Sequence, residues 1–158
     1  QPDLAACSTW ATLVDQYGNA WGCICTPEHP SMGDFLRGSP LIHAASLLRR
    51  SVLPSARPYD ESLRRTEDYD LWLRLALAGA RFANMPAYLY LWRLPQGKNP
   101  RAGFQARWEE TKVRARHLPH FAGRLRSLPY ILKPLLVWLV PDILYRCVQA
   151  GRFQQRDE

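Results

Sequence analysis

Thr66-Glu67-Asp68-Tyr69-Asp70-Leu71-Trp72-Leu73-Arg74 is the stretch on which the reading of this 158-residue chain turns. Threonine is a fair N-cap, and the two carboxylates after it place negative charge at the positive end of a helix dipole. The predicted helix runs through Leu77, with Gly79 suited to its C-terminal cap. At about 100° per residue, Leu71, Trp72, Leu75, Ala76 and Gly79 share one arc, with Asp68 near its middle. Asp70 falls on the far side and reads as a solvated charge, paired with Arg74 at i+4. Asp68 is then turned toward the buried side, which costs free energy unless something there uses it. By position alone, two readings of Asp68 stay open: a complement to the dipole, or a working carboxylate. Asp68-Tyr69-Asp70 also spells D-x-D, a metal-binding pattern. On a helix the two side chains diverge by about 200°, so one ion cannot take both and no metal site is assigned there.

Outward from this helix, Leu4 to Val14 and Ala20 to Thr26 are rich in β-branched, aromatic and cysteine residues, and they flank Asp15-Gln16-Tyr17-Gly18-Asn19. That pattern predicts a β-hairpin. Ser31 to Arg37 predicts a short helix started by Ser31. Leu41 to Leu48, an apolar run with one histidine, His43, predicts a buried strand. Arg81 to Pro86 and Ala87 to Arg93 read as two short extended segments. Beyond the linker Gln96 to Pro100, Phe104 to Leu118 reads as an amphipathic, basic helix. Leu128 to Val148 is apolar but interrupted by Lys133, Pro134, Pro141, Asp142 and Arg146, which argues against a spanning helix.

With 47% hydrophobic and 22% charged residues, the composition is globular and excludes a disordered chain. The formal charge is +7, and the excess gathers between Arg101 and Arg126, through Arg107, Lys112, Arg114, Arg116 and Arg124. Nucleic acid, anionic lipid and phosphorylated ligands are the usual partners of such a chain. No helix-turn-helix or zinc pattern and no interleaving of arginines with aromatics is present, so nucleic acid is not an expected partner. The four cysteines, Cys7, Cys23, Cys25 and Cys147, lack metal-site spacing and read as reduced and buried, as in a cytosolic protein.

These segments together resemble the C-terminal half of the family 2 glycosyltransferases, bacterial inverting enzymes with a GT-A fold. The resemblance covers roughly Leu4 to Arg93. It rests on the hairpin around Tyr17-Gly18-Asn19, on Gly38-Ser39-Pro40-Leu41-Ile42-His43, on Arg49-Arg50-Ser51-Val52-Leu53, and on Tyr59-Asp60-Glu61. Most specific are Glu-Asp-Tyr-Asp-Leu-Trp-Leu-Arg at 67–74, then Phe82-Ala83-Asn84-Met85-Pro86 and Leu91-Trp92-Arg93. The resemblance implies an α/β fold, the C-terminal part of a Rossmann-like nucleotide-sugar transferase domain with a mixed sheet and helices. It would span residues 1–95, with a helical, basic and apolar tail over 96–158.

It further implies that Asp68 is the general base toward an acceptor hydroxyl that attacks the anomeric carbon of a nucleotide sugar. Glu67, His43, Arg93 and Trp72 become candidate substrate contacts, although core packing competes for His43 and Trp72 and a surface ion pair for Arg93. The nucleotide-contacting half, with the main ligands of a divalent metal (Mg or Mn), is expected to lie before Gln1, so that these residues alone are expected to be inactive. The departures are Ser39 where relatives often carry Asn, Ala56-Arg57-Pro58 in place of glycines, and Leu94-Pro95 in place of a histidine after Arg93. The expected partners are a nucleotide-sugar donor and a glycan or lipid-linked acceptor of surface polysaccharide synthesis. The tail suggests an anionic membrane at the inner face of the cell envelope. An ordinary helical hairpin completing the core explains the same residues, and a non-catalytic basic binding module is the alternative from another class.

Overall fold

The computed structural model describes residues 3–53, 57–95, 103–121 and 124–139. Strand β1 (Leu4–Val14) is central to a mixed, four-stranded sheet. Along one of its edges β4 (Arg81–Arg93) pairs in parallel, from Leu4 opposite Arg81 to Val14 opposite Arg93. The other edge is shared by β2 (Ala20–Ile24), antiparallel at Ala11 to Val14, and by β3 (Leu47–Leu48), antiparallel at Ala6 and Cys7. A strand paired on both edges and covered by helices carries small or apolar residues almost without alternation. Accordingly Ala5, Ala6, Ser8, Ala11, Leu13 and Val14 are all buried.

The predicted hairpin is present. The Asp15 carboxylate accepts the amides of Tyr17 (2.8 Å) and Asn19 (2.9 Å), and Gly18 takes the positive φ of 93° that the turn needs. The predicted short helix is also present as α1 (Met32–Arg37), where the Asp34 carboxylate accepts the Ser31 amide (2.9 Å) and hydroxyl (2.5 Å).

Leu41 to Leu48 is not a strand. Leu41 and Ile42 are buried, His43–Ala45 form a 3₁₀ turn, and only Leu47–Leu48 join the sheet. The reason lies in two serines. Ser8 Oγ donates to the Ile42 carbonyl (3.0 Å) and accepts its amide (3.2 Å), while Ser46 Oγ donates to the same carbonyl (2.8 Å). Side chains have taken the backbone groups that a ladder would use. The two segments expected between Arg81 and Arg93 form one strand. Its register slips between Met85 and Tyr88, a bulge that accommodates Pro86, which has no N–H to give.

Helix α2 (Glu67–Leu77) carries the deciding motif and crosses between β1 and β4. Thr66 holds the N-cap position, but its hydroxyl is buried without a hydrogen-bond partner among the described residues, unlike a working cap. At the other end Gly79 has φ +85°, and Ala80 N–H closes on the Leu75 carbonyl at 3.0 Å. The helix is buried around most of its circumference, through Tyr69, Asp70, Leu71, Trp72, Leu73 and Leu75. The solvated reading of Asp70 is therefore corrected: a second layer, α3 (Phe104–His117), covers the side that the helical wheel left to solvent.

Helix α3 and α4 (Arg124–Trp138) pack on one another and on α1 and α2, and they place Val113 and Phe121 in the main core beside Phe35, Leu71, Trp72 and Phe82. The basic character of α3 turns inward. Arg114 is 1% exposed, donates to Glu110 (2.7 Å) and the Arg37 carbonyl (3.1 Å), and lies over the Tyr69 ring. Arg107 and Glu110 are also buried. The cysteines Cys7, Cys23 and Cys25 form no disulfide among the described residues, and they are half-buried where burial was expected. Cys147 and the part of the apolar reading beyond residue 139 lie outside the described residues. Among the described residues no helix is long and apolar enough to cross a membrane.

Replacing Gly79 by alanine puts a Cβ on a left-handed residue in open space, so its cost is conformational. We expect Gly79→Ala to lower the unfolding free energy by about 1 kcal/mol with the urea m-value unchanged. A loss near zero would mean that the turn rearranges.

Candidate active site

A cleft of about 370 Å³ opens at the N-terminus of α2. Its walls are His43 from the 3₁₀ turn, Tyr59, Asp60 and Glu61 from the following loop, Leu63 and Arg64 from the approach to the helix, and Glu67 from its first turn. His43 is exposed, not a buried strand residue. Its ring meets Tyr59 edge-on at 5.9 Å and lies against Trp72 at 5.5 Å. Glu67 Oε2 is buried and has no hydrogen-bond partner among the described residues. An unsatisfied carboxylate oxygen at a cleft is an acceptor that a ligand hydroxyl or ammonium would satisfy.

The candidate contacts separate in space. Glu67 and His43 face one cleft. Asp68 is half-buried in the same helical turn, its Oδ1 accepting the Tyr69 amide at 2.7 Å, and is not among the lining residues. Trp72 has no exposed surface and packs edge-on against Phe82 at 6.0 Å, so it cannot stack on a sugar; the substrate contact assigned to it is corrected to a core role. Arg93 is exposed at the end of β4 opposite Val14, whereas Asn84 lies opposite Ser8, about 20 Å away along the paired strand at ~3.3 Å per residue. Asn84 in turn ties to the Pro40 carbonyl (3.0 Å), close to where His43 begins, so Arg93 is not brought to the cleft.

Asp70 has a different environment from Asp68. Its Oδ2 accepts Arg74 Nε at 2.7 Å, and its Oδ1 lies 2.9 Å from His117 Nε2 and 3.7 Å from Arg116. Burial pushes the Asp70 carboxyl up, but the hydrogen bonds from His117 and Arg74 and their charges outweigh it, leaving the pKa below the ordinary value. Asp60 is held down to about 2 by the Ser62 hydroxyl and by Arg116, whose Nη1 is 2.6 Å from Oδ2. Arg116 and His117 were legible in the sequence only as members of a basic run; no periodicity tells that they return to α2. Asp60 stood in a noted motif without a role.

The described residues do not fit a divalent metal. No group of three or more His, Cys, Asp or Glu side chains among them is placed to hold one. Asp60 and Asp70, the most strongly anchored carboxylates near the cleft, are engaged by arginines instead.

Because Asp60 and Asp70 have folded pKa values below their unfolded ones, the unfolded chain binds protons first as the pH falls. Their contribution to stability is complete above the unfolded value near 3.8 and is lost as pH falls through the folded values toward about 2. We expect the unfolding free energy to drop below about pH 4, and the drop to be shallower in Asp60→Asn. Identical acid limbs in the two proteins would mean that the Arg116–Asp60 pair adds nothing.

No protein-family model matches the chain. Two curated proteins do. One carries the name glycosyltransferase EpsE, from Bacillus subtilis (strain 168). It is 29% identical over 158 residues, covering 95% of this chain and 54% of that protein. The other is an uncharacterized glycosyltransferase of Methanocaldococcus jannaschii, MJ1057. It is 25% identical over 101 residues, covering 61% of this chain and 34% of that protein. The chain thus spans about half the length of the first relative and a third of the second. The sequence relatives of this mixed α/β chain are proteins named as glycosyltransferases.

Proposed function

We propose that this chain carries the acceptor side of an inverting, nucleotide-sugar-dependent glycosyltransferase of family 2 with a GT-A fold. The observation that carries the reading is the pair Glu67-Asp68 at the N-terminus of α2, beside a cleft that Glu67 lines, with one Glu67 carboxylate oxygen buried and without a hydrogen-bond partner among the described residues. The names of the two relatives support the same class of reaction.

In this reading the acceptor enters the cleft with its attacking hydroxyl toward Asp68 and a neighbouring hydroxyl donating to Glu67, while the rings of Tyr59 and His43 offer an apolar edge to the sugar. Asp68 takes the hydroxyl proton as the new bond forms between that oxygen and the anomeric carbon. The bond from the anomeric carbon to the diphosphate breaks on the opposite face, and its electron pair leaves with the nucleotide diphosphate. Donor and acceptor need only be held in line for this step, which is a matter of positioning before it is one of acid–base strength. The nucleotide, and a Mg or Mn ion that binds with it, are assigned to residues beyond the described ones. The acceptor is assigned to the class of surface polysaccharides or lipid-linked glycans.

Peripheral attachment to an anionic membrane belongs to the same proposal. The arginines of α3 are mostly engaged inside the protein, but Leu128, Leu132 and Leu136 are exposed on α4 within an arc of about 80°, and Leu139 is exposed just past its end. Attachment through such a face is apolar first and electrostatic second. With full-length protein, Leu132→Asp combined with Leu136→Asp is expected to abolish sedimentation with anionic vesicles, and 0.5 M salt to leave most of it (about one Debye length of 4 Å at that strength). Equal sedimentation of both proteins removes the membrane from the proposal.

The catalytic assignment is tested in the full-length protein by release of nucleoside diphosphate from nucleotide sugars. We expect Asp68→Asn to lower kcat by roughly 10²–10⁴ with donor binding intact, the range for a lost general base. Glu67→Gln is expected to raise the acceptor KM with a smaller change in kcat. If Glu67→Gln abolishes turnover and Asp68→Asn does not, the base is Glu67 and the assignment to Asp68 is wrong.

A further inference from the structure

Asp70 is the most deeply buried carboxylate among the described residues, at 1% exposure. Both of its oxygens are engaged, one by Arg74 and the other by His117, with Arg116 nearby. The two arginines also reach past it. Arg74 Nη2 donates to the Pro58 carbonyl at 2.5 Å, and Arg116 Nη1 pairs with Asp60 at 2.6 Å. Pro58 and Asp60 flank Tyr59, the residue whose ring meets His43, and Tyr59, Asp60 and Glu61 together form one wall of the cleft.

Within this loop the Tyr59 hydroxyl lies 3.5 Å from His43 Nε2, a contact with the 3₁₀ turn and not with α2, and further bonds are local. Asp60 accepts the Ser62 amide and hydroxyl, and the Asp60 carbonyl accepts the Leu63 amide at 3.0 Å. Such bonds shape the turn but do not fix where it sits relative to α2. The links that do so start from a charge that cannot move without exposing itself or losing its partners.

We propose that Asp70, acting through Arg74 and Arg116, is the positioning hub that sets the Tyr59–Glu61 wall against Glu67, so that α3 governs how a ligand fits the cleft. The inference rests on the reading of that cleft as the acceptor site. Its residues are positioning residues, since none is placed to touch the reacting atoms. It also accounts for a charged α3 packed against α2: His117 meets one oxygen of Asp70, and Arg116 lies beside that oxygen and reaches on to the loop. A plain surface ion pair contributes little, about 0–1 kcal/mol, and has no reason to change the shape of a cleft. The pair between Arg116 and Asp60 differs because its arginine also faces a fixed, buried anion at 3.7 Å.

The test uses Arg116→Gln and Arg116→Lys in the full-length protein, with Asp60→Asn as a second way to cut the link without touching Asp70. Arg116 is half-exposed, so its loss spares the core. Two readouts separate the links of the argument. Amide hydrogen exchange over residues 57–63, without ligand, is expected to rise about tenfold in Arg116→Gln and in Asp60→Asn, and to return toward the parent rate in Arg116→Lys. Titration of the His43 ring resonance with methyl glucoside, a neutral polyhydroxyl probe, is expected to give a Kd raised fivefold or more in the first two variants.

Unchanged exchange in both variants overturns the tether, whatever the binding does. Raised exchange with an unchanged Kd overturns the claim that the wall shapes ligand fit. If the parent protein shows no response to the probe, the acceptor-site reading fails, and with it the role proposed for the hub, while the exchange result still reports the tether by itself.

Discussion

A carboxylate shut away from water must be compensated where it stands, and Asp70 imposes that requirement on its surroundings. Removing one partner of a buried ion pair typically costs about 3–5 kcal/mol, a large part of the stability of a small domain. Arg74 lies on the same helix and satisfies one oxygen at little conformational expense. The other oxygen needs a cation from elsewhere, which fixes α3 against α2 with His117 and Arg116 in register. The docking of α3 in turn closes the core over Val113 and buries Arg114 against Tyr69, whose hydroxyl donates to the Phe35 carbonyl of α1. One charge thus links both helical layers to the loop that borders the cleft.

Much of the scaffold was legible from local chemistry. The Asp15–Asn19 turn, the Ser31 start of α1 and the Gly79 end of α2 are each set by a side chain or a φ angle within a few residues, so they can be read from a short window. What could not be read depends on partners far along the chain. The strand expected at Leu41 to Leu48 was lost to Ser8, thirty-four residues away, which occupies the backbone of Ile42. The helical wheel of α2 assumed one wet face, and α3 dried it. The bulge near Pro86 was marked in the sequence by the proline, but as a break between segments and not as a slip within one strand.

The site divides in the same way. Glu67 and His43 were named from their order in the sequence, and the fold brings both to one cleft because α2 starts where the 3₁₀ turn ends its approach. Trp72 was named by its chemistry, but a tryptophan four residues beyond Asp68 on a helix faces the sheet. Arg93 was near the motif in sequence order and is far from it along β4. For Asp60, Arg116 and His117 nothing local marked the pairing; a cation fifty-six residues after a loop carboxylate becomes its partner only once the helical layer has formed.

The parallel pairing of β1 with β4 also bears on how the chain is made. Strand β1 leaves the ribosome with its hairpin partner, but its longest neighbour begins at Arg81, whose pairing starts opposite Leu4. At 5–20 residues per second, the interval between the end of β1 and the start of β4 is roughly 3–13 s. Through that time one whole edge of the central strand presents unpaired amides and carbonyls beside small apolar side chains, the kind of edge on which strands from other molecules assemble. Vectorial synthesis therefore sets a window in which this nascent chain depends on speed of translation, or on chaperones, rather than on its final stability.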